Sequence, residues 1–395
     1  MRRNKEVADE IVSKLLTLVR PEYWLLKRVK ASRNSISING TTFTFSRPLL
    51  IAVGKSAVPM ARWFIERAEF VRKIVVTPAR AEVDAEVIVA EHPYPGPGSI
   101  KAGERVLQAL ENEKYDLVVF LLSGGASALM EYSEMGLEEL VELNKALVTS
   151  GLTIHEINAV RKHVSLIKGG QLALRSKAPV LTIAVSDVPG DDPSVIGSGP
   201  TVPDTTTRES ALEILKKLGL DRFSKYVHET PKSLQNSFYF TLYNALDVLK
   251  EGFTDWTILT GEVVGEAKSL GLFLASIANS SYRTGLRRVA LAGEPEVRVS
   301  GKVGKGGRNG EVCLSFLNHV RVESLLVAFA SDGIDGNSEY AGCFVSRDTG
   351  IPRDEIIRSL AEHDSYSLLE RYGVAIKTGL TFANVNNFYF LVNSD

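Results

Sequence analysis

Cysteine is nearly missing from this chain: Cys313 and Cys343 are the only two in 395 residues, each lies in an apolar setting, and neither has the paired spacing of a zinc site. Their scarcity argues against zinc and points to a reducing compartment. Long apolar runs are missing too. No stretch approaches the roughly 18 residues that a spanning helix needs, and Glu6, Asp9 and Glu10 interrupt the basic N-terminus before any such run forms. The expectation is a cytoplasmic protein with no membrane partner. A surplus of charge of either sign is also absent, since the formal balance is −1. Electrostatics therefore give no ground for nucleic acid as a partner, and an anionic small substrate would have to be held by local cations. Methionine and glutamine are scarce, at four and three, a composition that heat-adapted chains share.

Familiar phosphate and cofactor motifs are absent as well. The apolar stretch Pro48 to Val53 runs into Gly54, Lys55 and Ser56, yet a Walker A loop would need glycine where Leu49 stands. The segment GKVGKGGRNG, 301–310, misses the dinucleotide fingerprint, because the third glycine would have to replace Asn309. Asp332 to Asn337, SDGIDGN with Ser331, follows a strand and lacks the flanking helices of an EF-hand. Lys55 at the start of a helix after a strand still offers phosphate both an ammonium and a helix N-terminus.

What is present is an ordinary globular composition, 44% hydrophobic and 24% charged, in a chain longer than one core usually supports. Short apolar strands alternate with helical patterns, so the expected fold class is α/β with a parallel sheet covered on both faces. The predicted strands include 48–53, 73–77, 86–91, 116–122, 181–185, 237–241, 286–292, 296–300, 325–330 and 388–392, and one continuous helix is predicted over 154–174. The irregular segment 221–236 marks the boundary, giving domains 1–230 and 231–395.

Strand ends in open α/β sheets carry ligand loops. The loop after 181–185 holds Asp187, Asp191 and Asp192, close enough to share a magnesium ion, followed by Gly197, Ser198, Gly199 and Thr201, which allow close approach to phosphate. Ser123, Gly124, Gly125 and Ser127 form a second candidate nest, and Asp332, Asp335 and Asn337 a third. Arg161, within Arg161-Lys162-His163, has the shape for bidentate pairing with a carboxylate, and Arg308 sits where it could clamp charge.

Together, SGGASAL from 123, INAVRKH from 157 with IKGGQLA, SDVPGDDP from 186 with GSGPT, GGRNGE from 306 and SDGIDG from 331 resemble the glycerate 2-kinase family with its MOFRL C-terminal domain. The resemblance spans nearly the whole chain in order. It implies ATP-dependent phosphorylation of D-glycerate to 2-phosphoglycerate with Mg2+, on a Rossmann-like N-terminal domain and a smaller α/β domain, with the active site in the cleft between them. Carried over, Lys55 and Arg308 match the family's active-site lysine and arginine. Asp187 would join them in catalysis and hold metal with Asp192. Ser123, Gly124, Gly125, Ser127 and Arg161 would bind substrate, and Gly197, Ser198, Gly199, Thr201, Asp332, Asp335 and Asn337 would bind nucleotide. The partners implied are small molecules, and a homo-oligomer is compatible with the sequence. Two rivals are a nicotinamide-dependent hydroxypyruvate reductase, for which the dinucleotide fingerprint is missing, and a small-anion binding protein, which leaves the aspartates without a role.

Overall fold

The computed structural model describes residues 2–393. By packing, they divide into two units, Pro21–Tyr243 and a second made of the residues up to Arg20 with those from Asn244 onward.

The first unit begins with a small meander of β1 (Val29–Ser32), β2 (Ser35–Ile38) and β3 (Thr41–Thr44). Its second turn is the pair Asn39-Gly40, both at positive φ, the conformation that matches the twist of a two-residue hairpin. The main sheet contains β4 (Pro48–Val53), β5 (Arg72–Thr77), β6 (Glu86–Val89), β7 (Leu117–Leu122), β8 (Val180–Val185) and β9 (Ser237–Tyr243). All six run parallel in the order β6-β5-β4-β7-β8-β9. The order reverses between β4 and β7, so the crevice beyond their carboxyl ends is a topological switch point. Every residue of β4, β7 and β8 is buried, as parallel strands covered on both faces require. The first unit extends past the expected boundary at 230/231 because β9 completes this sheet beside β8.

The second unit holds β10 (Thr257–Val263), β11 (Arg288–Gly293), β12 (Ser324–Ala330), β13 (Gly342–Ser346), β14 (Ala375–Ile376) and β15 (Asn387–Asn393). Their order is β10-β11-β15-β12-β13-β14, with only β10 and β11 parallel. Both β11 and β12 oppose β15, so the carboxyl ends of β11 and β12 and the start of β15 share one edge of the sheet. The helix Arg2–Leu18 belongs to this unit rather than to an N-terminal domain. It buries Ala8, Ile11, Leu15 and Leu18, and Gly252 makes room for Leu18, whose Cδ1 would stand 2.4 Å from any Cβ there.

Several predicted elements differ. The helix over 154–174 stops at Val164: Ser165 is extended, Gly169 and Gly170 are left-handed, and only Gln171–Leu174 resumes the coil. Residues 296–300 form no strand beyond an isolated bridge from Glu266 to Glu296. The glycine-rich loop ends in a helix, Arg308–His319, that the glycines concealed. Cys313 of that helix and Cys343 of β13 are joined in a disulfide, so the cysteines no longer argue for a reducing compartment. A separation of 30 residues hid that the helix packs on β13. No helix among the described residues is long and apolar enough to cross a membrane.

Candidate active site

In the first unit the tip of β4 is stitched to β5 and to the turn after β7. Gly54, at φ +126°, donates its N–H to the Val76 carbonyl at 3.1 Å; Lys55 N–H reaches the Gly124 carbonyl at 2.9 Å; Ser56 N–H reaches Ser123 Oγ at 3.0 Å. Only glycine fits at 54, since a Cβ would lie 2.2 Å from Ser123 Oγ. Lys55 is thereby fixed at its backbone, half-buried, immediately before Ser56, the N-cap of the helix Ala57–Ile65. Ser123 is fully buried and its hydroxyl is spent on this stitch, so it shapes the turn rather than offering a free donor. Gly124 is buried beside it, and left-handed Gly125 makes room for His92, whose ring would be 3.2 Å from a Cβ.

The loop after β8 packs on the same edge. Ser198 Oγ stands 2.9 Å from Ser127 Oγ and donates to Asn158 Oδ1 at 3.1 Å, which ties together three segments. Gly197, Ser198 and Gly199 all have positive φ, and the Ser198 and Gly199 carbonyls accept from Gly169 N–H and Gly170 N–H. Thr201 is buried, with its hydroxyl 2.7 Å from that of Thr182. Ser198 and Thr201 therefore have packing partners where sequence suggested ligand contacts. Asp187, Asp191 and Asp192 are half-buried and share one neighbourhood. Burial first, then the charges of Asp191, Asp187 and Asp192, pushes the Tyr239 hydroxyl's pKa upward. Asp192 also caps its own turn, accepting Ser194 N–H at 2.8 Å.

Of the basic cluster, Lys162 is buried against Asp204 at 3.2 Å, and His163 Nδ1 is 2.7 Å from the Ala159 carbonyl. Arg161 is the member left half-buried, its Nε donating to Asn144 Oδ1 at 2.8 Å. Burial lowers the pKa of its guanidinium, with Glu131 and Tyr94 opposing. Glu131 is fully engaged by Lys168 and Ser165 Oγ, a buried pair that sequence reasoning passed over.

In the second unit the shared strand edge carries the counterpart. Arg308, first residue of the helix Arg308–His319, pairs with Glu294, which follows β11. Burial would lower the guanidinium's pKa, yet Glu294 and Asp335 outweigh it and hold the pKa above its usual value. Asn387, at the start of β15, donates Nδ2 to Glu294 Oε2 and to the Gly293 carbonyl, both at 3.4 Å, and accepts from Asn309 Nδ2 at 2.9 Å. Glu294, Asn309 and Asn387 are missed by sequence reasoning; a polar residue directly beside a strand end was the signal available for Glu294 and Asn387. Asp335 is 1% exposed and accepts Gly310 N–H at 3.0 Å and the Tyr366 hydroxyl at 2.7 Å. It cannot also face a nucleotide. Asp332 is half-buried and Asn337 exposed; Asn337 bridges the Gly304 carbonyl and Gly306 N–H. A cavity of about 260 Å³ opens here, lined by Val299, Val303, Gly307, Arg308, Asn337 and His363 among others.

Comparison with known proteins bears on both edges. Residues 7–231 match the model of a domain of unknown function, DUF4147, and residues 288–387 match the MOFRL family. A glycerate 2-kinase from Sulfurisphaera tokodaii is 48% identical over 97% of this chain and 99% of its own length. The chain belongs to the glycerate 2-kinase family. A crystal structure of glycerate kinase from Thermotoga maritima superposes with a TM-score of 0.84 at 32% identity, covering 100% of each chain. An Agrobacterium vitis relative provisionally named hydroxypyruvate reductase is 38% identical over 76% of each chain. Within this glycerate 2-kinase family member, the Lys55 and Asp187 loops lie in the first matched segment, and Arg308 and Asp335 in the second.

Proposed function

We propose that this protein transfers the γ-phosphoryl group of ATP to the 2-hydroxyl of D-glycerate, yielding 2-phosphoglycerate and ADP. The hydroxyl oxygen bonds to the γ-phosphorus, the bridging bond to ADP breaks, and the hydroxyl proton is released. The observation that carries this reading is the pair of cations, Lys55 and Arg308, each held on a glycine-bearing turn at a strand edge within a chain of this family. Phosphoryl transfer asks chiefly for positioning and for preorganised positive charge. Lys55 lies in the first unit and Arg308 in the second.

The half-buried carboxylates of Asp187 and Asp192 are hard oxygen donors that suit Mg2+, which takes one or two carboxylates and leaves other positions to water and phosphate. Among the described residues no group of three ligating side chains is assembled, so Asp187, Asp191 and Asp192 do not together form the shared site the sequence suggested. When bound, the metal would neutralise phosphate charge. Arg161, Gly124, Gly125 and Ser127 are assigned to the glycerate carboxylate, and the backbone at Gly197 and Gly199, with Asp332 and Asn337, to nucleotide. Ser123, Ser198 and Thr201 shape those loops. Cytoplasmic small molecules are the only partners the reaction needs.

The relative named as a reductase motivates the second reading, reduction of hydroxypyruvate. It requires a nicotinamide site, and the fingerprint for one is missing at Asn309. Pure protein incubated with D-glycerate and Mg·ATP should form ADP, whereas hydroxypyruvate with NADPH should leave the NADPH intact. Oxidation of NADPH without ADP formation in the first mixture would reverse the choice.

A further inference from the structure

The N-terminus of the helix Arg308–His319 follows a glycine-rich turn, an arrangement that offers N–H groups to an anion. In this protein the anion is internal. Asp335, 25 residues away, reaches the first turn, and its Oδ2 accepts Gly310 N–H at 3.0 Å while the Tyr366 hydroxyl donates to the same atom at 2.7 Å. The Asp335 backbone is fixed as well, its N–H on the Tyr340 carbonyl at 2.7 Å and its carbonyl accepting from the Ser338 hydroxyl at 2.7 Å.

The glycines of this turn leave no room for a side chain of their own. A Cβ on Gly307 would stand 2.4 Å from Asp335 Cγ, one on Gly336 would stand 2.2 Å from the Gly306 carbonyl, and one on Gly310 would stand 2.3 Å from Ser365 Oγ. If satisfying a helix end were the only need, a short polar side chain at the N-cap would serve, yet that position is Gly307. A carboxylate buried at 1% exposure with Oδ1 unpartnered is a costly way to cap a helix. Its distinctive feature is its place beside Arg308, whose guanidinium feels Asp335 from within and Glu294 from the more open side.

We propose that Asp335 is a positioning residue for Arg308, clamping the first turn of the helix so that the guanidinium leaves it in one direction when Glu294 gives way to an anionic ligand. The proposal rests on the catalytic role assigned to Arg308 above. It replaces direct nucleotide contact as the function of Asp335. Tyr366 is the clamp's second jaw.

The test uses Asp335→Asn and Tyr366→Phe in the full chain, each in the Arg308 and the Arg308→Met backgrounds. Initial rates with D-glycerate and Mg·ATP are measured beside amide exchange across residues 308–311. Misplacing a reacting group by a fraction of an ångström to an ångström costs about 10- to 100-fold, so kcat should fall by that factor for Asp335→Asn and by a few-fold for Tyr366→Phe. KM for ATP should stay within about two-fold, because binding contacts are untouched. Exchange at the Gly310 amide should accelerate in both variants, and Asp335→Asn should add little loss once Arg308 is methionine. A raised KM for ATP at unchanged kcat would mean direct nucleotide contact and overturn the proposal. An equal loss in the Arg308→Met background would also overturn it. Should Asp335→Asn fail to fold, Tyr366→Phe decides by the same readouts. If Arg308→Met itself keeps full turnover, the catalytic reading of Arg308 fails, and unaltered exchange at Gly310 would separately dispose of the clamp.

Discussion

Replacing Gly54 by alanine should damage stability and turnover through one contact. The residue sits at φ +126°, and the added Cβ would lie 2.2 Å from Ser123 Oγ and 2.5 Å from the Ser123 carbonyl oxygen. Neither atom is the end of a flexible chain: Ser123 is fully buried between Val53 and Ser56. The loop must move, and the bonds from Lys55 N–H to Gly124 and from Ser56 N–H to Ser123 stretch or break. Strain at such a backbone angle costs on the order of 1–3 kcal/mol, and each lost hydrogen bond about 1 kcal/mol, for a total of roughly 3–5 kcal/mol. Gly151 supplies the control, at φ +76° with nothing within 4 Å of its Cβ position. Gly151→Ala should cost only the left-handed penalty, about 1–2 kcal/mol. The entropy removed from the unfolded chain is the same in both and cancels in the comparison. Urea unfolding of the two variants should differ by about 2–3 kcal/mol on these figures, and kcat should fall about 100-fold for Gly54→Ala alone, since Lys55 is displaced. Equal stabilities would refute the steric argument. Normal kcat in a destabilised Gly54→Ala would refute the idea that this stitch positions Lys55 for catalysis.

Lys55→Met and Arg308→Met should each lower kcat by roughly 100-fold or more with smaller changes in KM, and the double variant should lose less than the product of the two; steady-state kinetics on the three proteins checks it. Asp187→Asn should depress turnover and raise the magnesium concentration needed for half-maximal rate while leaving the circular dichroism unchanged, and an unaltered magnesium titration would remove Asp187 from the metal. Burial raises the Asp335 carboxyl from 3.8 to about 6 against hydrogen bonds from Tyr366 and Gly310. The folded state then holds the proton more tightly than the unfolded chain, so this site's contribution to stability falls as pH rises between about 4 and about 6, by roughly 3 kcal/mol. Subtracting the Asp335→Asn stability curve from that of the wild type should reveal that slope, and parallel curves would contradict it.

Strand alternation made the parallel sheet legible. β4, β7 and β8 are six-residue apolar blocks, and nothing but a sheet buried on both faces accommodates such blocks between helices. The helix break at Ser165 was harder to see, because Val160, Val164 and Ile167 keep a helical apolar spacing across it while Lys168 turns inward to the buried Glu131. The hairpin of β2 and β3 was readable from Asn39-Gly40 and was passed over. The helix at Arg308 was not readable in the same way: Gly304, Gly306 and Gly307 suggest a loop, and what demands them is the approach of residues 335–336 and 363–364.

That distinction decides how the site itself should be read. Asp332 and Asp335 look equivalent in SDGIDG, each beside a glycine in the loop after a strand, yet Asp332 is half-buried at the loop's outer side and Asp335 is sealed within. Ser123 and Ser127 divide the same way, one locked into the turn that fixes Lys55 and the other on the partly exposed face. Whether a strand-end residue faces inward depends on what the neighbouring loop leaves empty, and the missing side chain of Gly307 is what admits Asp335. A glycine-rich, acidic loop is therefore a record of close backbone packing first and an anion cradle second. Its outer polar residues are the ones exposed enough to meet a ligand. Its inner ones hold the cation that the chemistry needs, which is why a change at Asp335 should appear in kcat before it appears in the affinity for ATP.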